Sequence, residues 1–349
     1  MSGEIEGWMF VIADLHCGSK LNYMALWRTV KEAIEFLKVV RASKVSIAIL
    51  GDIHEHQKMY ETQVVTAEGV YQSEIAAGVI LTITKMFRDS GINLAKLVLI
   101  GGNHDWREHE GISYMKLLSH NLDLVGLPHE VYEMYTCKIN DTPVGLVHSV
   151  SPRGGSYVSA LTPKVIAMAK KIADLLGVEK VIVGHSHLHG HYVDATFEVV
   201  ALPSFKISQD PKFWVYGGLL TNGRYNVFLR PKIHVDELFA DLIEIRKMDL
   251  QMIYNFRRTA GKRGIPFESR VVVYEKGQHG YKKQLPVAGI FKVGSKRLFF
   301  MREDLREILK YLKEGKTVEE ISELTGRKRW FVEAARRWLY KNGFLGEGE

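Results

Sequence analysis

A chain of 349 residues exceeds one typical domain and predicts two or three. With 46% hydrophobic and 25% charged residues its composition is globular, and its longest apolar runs, Val45–Leu50 and Lys96–Ile100, are too short to span a bilayer, so no membrane partner is expected. The net charge of +7 agrees with a polyanionic partner without establishing one, and the two cysteines, Cys17 and Cys137, form neither a disulfide framework nor a CxxC pair.

The opening stretch MSGEIEGWMFVIAD carries an acidic residue at position 4 and no basic n-region, so no secretory signal is expected and the cytoplasm is the default location. A strand is expected at Trp8–Ala13, then an amphipathic helix at Tyr23–Val40 and a strand at Val45–Leu50. A helix over Thr66–Arg88 leads to a strand at Lys96–Ile100. Next come a strand at Pro143–Val147, a helix at Pro163–Leu176 and a strand at Lys180–Val183. The runs Phe197–Leu202 and Tyr225–Leu229 are expected to finish the sheet. Each early run is continuously apolar, as for a strand covered on both faces, and ends in a polar cluster. Strand, loop and helix alternating in this way predict an α/β layered fold with a site at the carboxyl ends of the strands.

Those ends deliver Asp14 and His16, then Asp52, then Asn103, then His148, then His185 and His187. Carboxylate oxygen, amide oxygen and imidazole nitrogen form a mixed donor set suited to divalent Mn, Fe or Zn. Seven donors exceed what one ion needs while keeping open positions. One carboxylate shared by two ions roughly 3.5–4 Å apart would serve both, the geometry of two-metal phosphoryl chemistry. Glycines before Asp52, Asn103 and His185 suit sharp turns close to ions.

The fragments DLH, GDIH, GNHD, an isolated His and GHSH, in that order, resemble the calcineurin-like metallophosphoesterase superfamily, over roughly residues 8–205. The resemblance implies an αββα sandwich, two β-sheets flanked by helices. It implies that Asp14, His16 and His187 hold one metal, that Asn103, His148 and His185 hold the other, and that Asp52 bridges them. His104 would be the catalytic imidazole that protonates the leaving group, with Asp105 orienting it. The cofactor is then two divalent ions, Mn²⁺ first, with Fe, Zn, Ni or Mg as alternatives.

Other residues keep two readings. His189 alternates with His187 and competes with it as a ligand. His54 and His56 either line the substrate cleft or are ordinary solvated loop residues. Cys17 is a thiolate ligand or a small buried residue, the latter favoured. Arg153, in a Gly-rich loop, is a phosphate clamp or a surface residue.

Beyond the sheet, an amphipathic segment, Val235–Arg258, runs into a basic stretch, 257–263, and strand candidates Val271–Tyr274 and Ala288–Val293 follow. Three helices are then expected at Arg302–Glu314, from Thr317 to Gly326, and at Trp330–Asn342, resembling the helix-turn-helix of winged-helix DNA-binding domains. Any wing strand would come from earlier, at Lys296–Met301. Arg327, Lys328, Arg329, Arg336, Arg337 and Lys341 face only Glu333 in charge, a surplus suited to phosphates. The domains expected are therefore 1–232, catalytic; 233–299, an α+β accessory region; and 300–349, helix-turn-helix. The function expected is a nuclease or phosphodiesterase that cleaves nucleic-acid phosphodiester bonds with a metal-bridged hydroxide, on DNA before RNA, with a homodimer admitted. The alternative is a small-molecule phosphatase or cyclic-nucleotide phosphodiesterase whose C-terminal module docks a protein or DNA. A DNA-binding regulator is a third, weaker reading.

Overall fold

The structure is a computed structural model. It describes residues 2–56, 65–67, 69–109, 111–149, 161–207, 216–221, 226–229, 242–263, 274–276, 282–284, 287–293, 296–301, 303–341 and 345. The chain divides into two compact units, Met1–Ile265 and Pro266–Glu349.

The first unit is built on two six-stranded mixed sheets. One contains β2 (Trp8–Ala13), β3 (Lys44–Leu50), β4 (Asn93–Ile100), β7 (Glu130–Tyr132), β13 (Gly217–Leu220) and β14 (Asn226–Leu229), in the order β14-β13-β2-β3-β4-β7. The other contains β1 (Ser2–Ile5), β8 (Met134–Ile139), β9 (Thr142–Val147), β10 (Lys180–Val183), β11 (Gly190–Val193) and β12 (Glu198–Ala201), in the order β1-β8-β9-β10-β12-β11. A small hairpin, β5 (Glu108–His109) with β6 (Ile112–Ser113), stands apart. Met9, Val11, Ala48, Leu50 and Val98 from the first sheet pack against Tyr135, Cys137, Leu146, Ile182 and Val200 from the second, and this shared core joins them.

Helices cover the outer faces. α1 (Tyr23–Val39) begins where Asn22 accepts from Ala25 N–H at 3.0 Å. It meets β2 through Trp8 and Phe36, whose ring centroids are 5.1 Å apart. α2 (Val70–Asp89) meets β2 through Phe10 and Phe87 at 5.5 Å. On the other sheet, α4 (Pro163–Leu176) packs Val165, Ala169 and Ala173 on Val181, Val183 and Val199. Its boundaries follow from Thr162 as cap, proline at the first turn and Gly177 in the left-handed conformation.

Not every expectation on the elements matches. α2 starts at Val70, not Thr66, because Thr66 is drawn into a loop by Gly18 and by Asp249. α3 (Tyr114–Leu124) and the strand β8, which pairs with the expected β9 as a hairpin, were not expected. That hairpin turns through Asn140 and Asp141 at φ 45° and 69°, the left-handed pair a tight two-residue turn requires.

The largest difference lies in α5 (Leu242–Gly261), expected in a separate accessory region beyond residue 232. It is buried against α2 inside the first unit, which extends to Ile265. A Cβ at Gly78 would fall 2.1 Å from the Met252 carbonyl oxygen, so the two helices touch backbone to backbone there. Asp249 is buried and accepts from Tyr23 Oη at 2.5 Å and Thr66 Oγ1 at 2.7 Å. Arg257 donates to Glu74 at 2.8 and 2.9 Å, which occupies a guanidinium expected in the basic stretch.

The second unit contains two-stranded pairs, β15 (Tyr274–Lys276) with β16 (Lys282–Gln284) and β17 (Val287–Val293) with β18 (Lys296–Met301). Its helices α6 (Glu303–Lys313), α7 (Val318–Thr325) and α8 (Arg329–Lys341) share a core of Ile308, Leu312, Val318, Ile321, Phe331, Val332, Ala335, Leu339 and Leu345. Thr317 and Glu320 form a reciprocal capping box, and Gly326 closes α7 at φ 62°. Among the described residues of the chain, no helix is long and apolar enough to cross a membrane.

Candidate metal centre

Parallel pairing brings the carboxyl ends of β2, β3 and β4 together in one sheet and those of β9 and β10 in the other. The loops after β2 and β3 are zipped by backbone hydrogen bonds: Asp14 N–H to the Gly51 carbonyl at 3.1 Å, His16 to Asp52 at 2.9 Å and Cys17 to Ile53 at 2.7 Å. Asp14, His16, Asp52, His185 and His187 all stand at positive φ, between 44° and 66°. For non-glycine residues this costs roughly 1–2 kcal/mol each and persists only where the surroundings over-determine it. Close approach is also built in: a Cβ at Gly51 would lie 2.3 Å from the His148 ring and one at Gly102 would lie 2.3 Å from the Asp52 amide nitrogen.

Two groups of donors result. Asp14, His16, Asp52 and His187 bring ligand atoms within 4.8 Å of one another, as do Asp52, His148 and His185. Asp52 belongs to both. Within the first, His16 Nε2 is 2.9 Å from His187 Nε2, and His187 Nε2 is 3.5 Å from Asp14 Oδ1. Within the second, His148 Nε2 is 3.3 Å from Asp52 Oδ2, 3.2 Å from His185 Nδ1 and 3.3 Å from Asn103 Oδ1.

The partners behind the rings fix their tautomers. His148 Nδ1 faces the Leu50 carbonyl at 3.1 Å, an acceptor only, so the proton sits on Nδ1 and Nε2 turns its lone pair into the cluster. His16 Nδ1 lies 2.8 Å from Glu55 Oε2, which leaves Nε2 facing inward. A carboxylate or carbonyl behind a ligand imidazole is the usual support of a metal-binding histidine.

The electrostatics point the same way. Burial pushes the Asp14 carboxyl well above its ordinary value, against the opposing pull of His148 and with Asp52 adding to the rise. Burial would raise Asp52 too, but His148, His16 and His104 carry it below the usual carboxylate range. Burial lowers His16 and, more strongly, His187. His148, which burial alone would depress, is raised to about 10 by Asp52. His16 and His187, kept neutral by burial, are in the form that binds a metal. The pull between Asp52 and His148 marks a place where positive charge is favoured, charge that divalent cations would supply. The Asp/His cluster fits metal ions.

His104 stands at the rim. Its N–H donates to Asp52 Oδ1 at 3.0 Å, its Nδ1 donates to the Glu55 carbonyl at 2.6 Å, and its Nε2 is 4.0 Å from Asp52 Oδ2. The expectation that Asp105 orients His104 is corrected. The buried Asp105 carboxylate accepts from the amides of Ile53 at 3.2 Å, His54 at 3.0 Å and Gly102 at 2.8 Å, and lies 2.7 Å from His54 Nδ1. It ties the loops after β3 and β4 together, while the Glu55 carbonyl holds the His104 ring.

His54 is fully buried, with Nε2 3.2 Å from Ser73 Oγ, so it neither lines a cleft nor meets solvent. His189 turns Nδ1 to the Ala201 carbonyl at 3.2 Å and joins neither donor group. Cys17 is buried outside both groups, and burial raises its thiol well above its usual range. Arg153 lies outside the described residues. In the second unit Arg327, Lys328, Arg329, Arg336 and Arg337 are exposed on α8 and its leading turn, and Lys341 ends that helix. Arg329 pairs with Glu319 at 2.8 Å and Arg337 with Glu333 at 3.6 Å.

Three residues not singled out in the sequence belong here. Glu55 is buried and bridges His16 to Lys206, whose Nζ donates to its two oxygens at 2.7 and 2.8 Å. Its carboxyl is drawn down to about 2: burial opposes this, and the hydrogen bond with His16 and the charge of Lys206 overcome it. A carboxylate three residues after Asp52 was the available signal. Trp106, 39% exposed, follows Asp105 on the lip of an adjoining cavity.

No family model and no curated relative matches this chain. Among solved structures it is similar to the hypothetical protein PH1004 from Pyrococcus horikoshii OT3, at 15% identity over 71% of this chain and 97% of that one, TM-score 0.43. It is also similar to a novel archaeal phosphodiesterase, at 13% identity over 64% of this chain and 100% of that one, TM-score 0.34. A third is YfcE, a phosphoesterase from E. coli, at 16% identity over 62% of this chain and 89% of that one, TM-score 0.33. At such identities and TM-scores these likenesses carry no chemistry over to this chain, whose reading stands on its own side chains.

Proposed function

We propose that this chain is a phosphodiesterase of nucleic acids that works with two divalent ions, Mn²⁺ foremost. The observation that carries the reading is the membership of Asp52 in both donor groups, which places one carboxylate between two ligand sets. Asp14, His16 and His187 would hold one ion, Asn103, His148 and His185 the other, with Asp52 between them. When bound, such a pair supplies Lewis acidity toward phosphate oxygens and an acidified water.

The remaining work falls to the chain's own residues. With Nδ1 committed to the Glu55 carbonyl, His104 has only Nε2 free to hold a proton for the leaving oxygen. Its Nε2 lies 4.0 Å from Asp52 Oδ2, on the side of the donor groups. Glu55 keeps His16 in one tautomer and His104 in one orientation at once, through its side chain and its carbonyl. The three-helix core and the exposed basic residues of α8 support a helix-turn-helix that grips phosphates.

The test is to incubate the protein and Mn²⁺ with labelled single-stranded and duplex DNA, linear and circular, and with RNA. Metal-dependent cleavage of a polymer, weakened when residues 300–349 are removed, is expected. Hydrolysis confined to small esters and indifferent to that removal would replace the nucleic-acid reading by that of a small-molecule phosphatase.

A further inference from the structure

A cavity of about 450 Å³ opens beside the second donor group, with Asn103, His148 and His185 among its lining residues. Its other lining residues include Trp106, Arg107, Glu133 and Met134. We propose that this cavity is a subsite for the flat base of a nucleotide, with Trp106 as its stacking wall. The inference rests on the phosphodiesterase reading of the metal centre and names the substrate group lying next to the phosphate.

Trp106 is held as a platform would be. A Cβ at Gly101 would lie 2.3 Å from the indole ring, so glycine lets the backbone lie flush against it. The Trp106 and Asp105 amides both donate to the Gly102 carbonyl, at 3.3 and 3.1 Å, which fixes the turn that carries the ring. The side chain still leaves 39% of the residue exposed, and Met134, also in the lining, is 46% exposed. An aromatic plane and a polarisable thioether suit a π-face and offer nothing to a bare phosphate. Arg107 and Glu133 put opposite charges in the lining, so apolar stacking rather than net charge sets its preference. The volume lies in the range of small-ligand sites. Stacking needs a base that is out of a duplex, so the subsite favours single strands, strand ends or free nucleotides.

The test measures binding of AMP, ribose 5-phosphate and adenosine to the full chain by calorimetry, with and without Mn²⁺. The variants are Trp106→Ala, Trp106→Phe and Met134→Ser. Stacking predicts AMP on the order of tenfold tighter than ribose 5-phosphate. Trp106→Ala should erase that preference, Trp106→Phe should keep most of it, and ribose 5-phosphate should bind alike to all. Met134→Ser, at an exposed position, should weaken AMP alone, which keeps the test readable if Trp106→Ala does not fold. Equal affinity for AMP and ribose 5-phosphate in the wild type, or a preference that survives Trp106→Ala, overturns the subsite. Hydrolysis of bis(4-nitrophenyl) phosphate in the same preparation reads the parent reaction. Hydrolysis without base preference sinks the subsite only, and base preference, followed with adenosine where metal is absent, without hydrolysis sinks the phosphodiesterase only.

Discussion

The two halves of the candidate metal centre are built differently. The half made by Asp14, His16 and His187 is the more closed: the loop of Asp14 and His16 is zipped backbone to backbone to the loop of Asp52, Asp14 and His16 are buried, and Glu55 and Lys206 stand behind. The half made by Asn103, His148 and His185 is open, with Asn103 exposed and a cavity along it. The closed half is held from behind by its neighbours, and the open half borders a cavity. Asp52 belongs to both, so disturbing it should affect both.

The largest effect is therefore expected at Asp52. Asp52→Ala should remove metal from both halves and abolish turnover; metal analysis giving two ions per chain for this variant would break the comparison. His104→Ala comes next. It should cost 10²- to 10⁴-fold in kcat or more while metal content stays near two per chain, as measured by elemental analysis. Full activity in that variant would remove His104 from the chemistry.

Glu55→Gln sharpens the contrast between halves. It should weaken the closed half's metal on the order of 10- to 100-fold and leave the other ion's affinity nearly intact, read by stepwise Mn²⁺ titration. Equal weakening of both ions would mean that Glu55 supports the whole centre.

The smallest effect concerns stability. Burial raises the Asp249 carboxyl to about 6, against the lowering bonds of Tyr23 and Thr66, from a reference of 3.8. A raised acid holds its proton in the folded state, so folding loses stability as pH rises from about 4 through about 6, on the order of 3 kcal/mol. Asp249→Asn should remove that dependence. Denaturant melts at pH 4.5 and 7 should show the variant gaining on the wild type as pH rises, and a gap constant with pH would count against the buried-acid assignment.

The places of the seven donors were legible because each strand is a short apolar run that ends in a polar cluster. A continuous run such as Val45–Leu50 followed by Gly51-Asp52 says both where the strand is and where the loop begins. What could not be read depends on which loop lies beside which. Asp105 follows His104 in sequence, yet its carboxylate serves residues 53 and 54, about 50 positions earlier. Glu55 meets Lys206 from 151 residues away. The docking of α5 on α2 rests on Gly78 and on a buried acid, Asp249, and amphipathic periodicity reports neither.

Crystals soaked in Mn²⁺ and measured for anomalous scattering would show whether two ions share Asp52. Two peaks roughly 3.5–4 Å apart, with the Asp52 carboxylate between them, are the result expected. A single peak, or a pair that Asp52 does not touch, would contradict the shared-carboxylate centre.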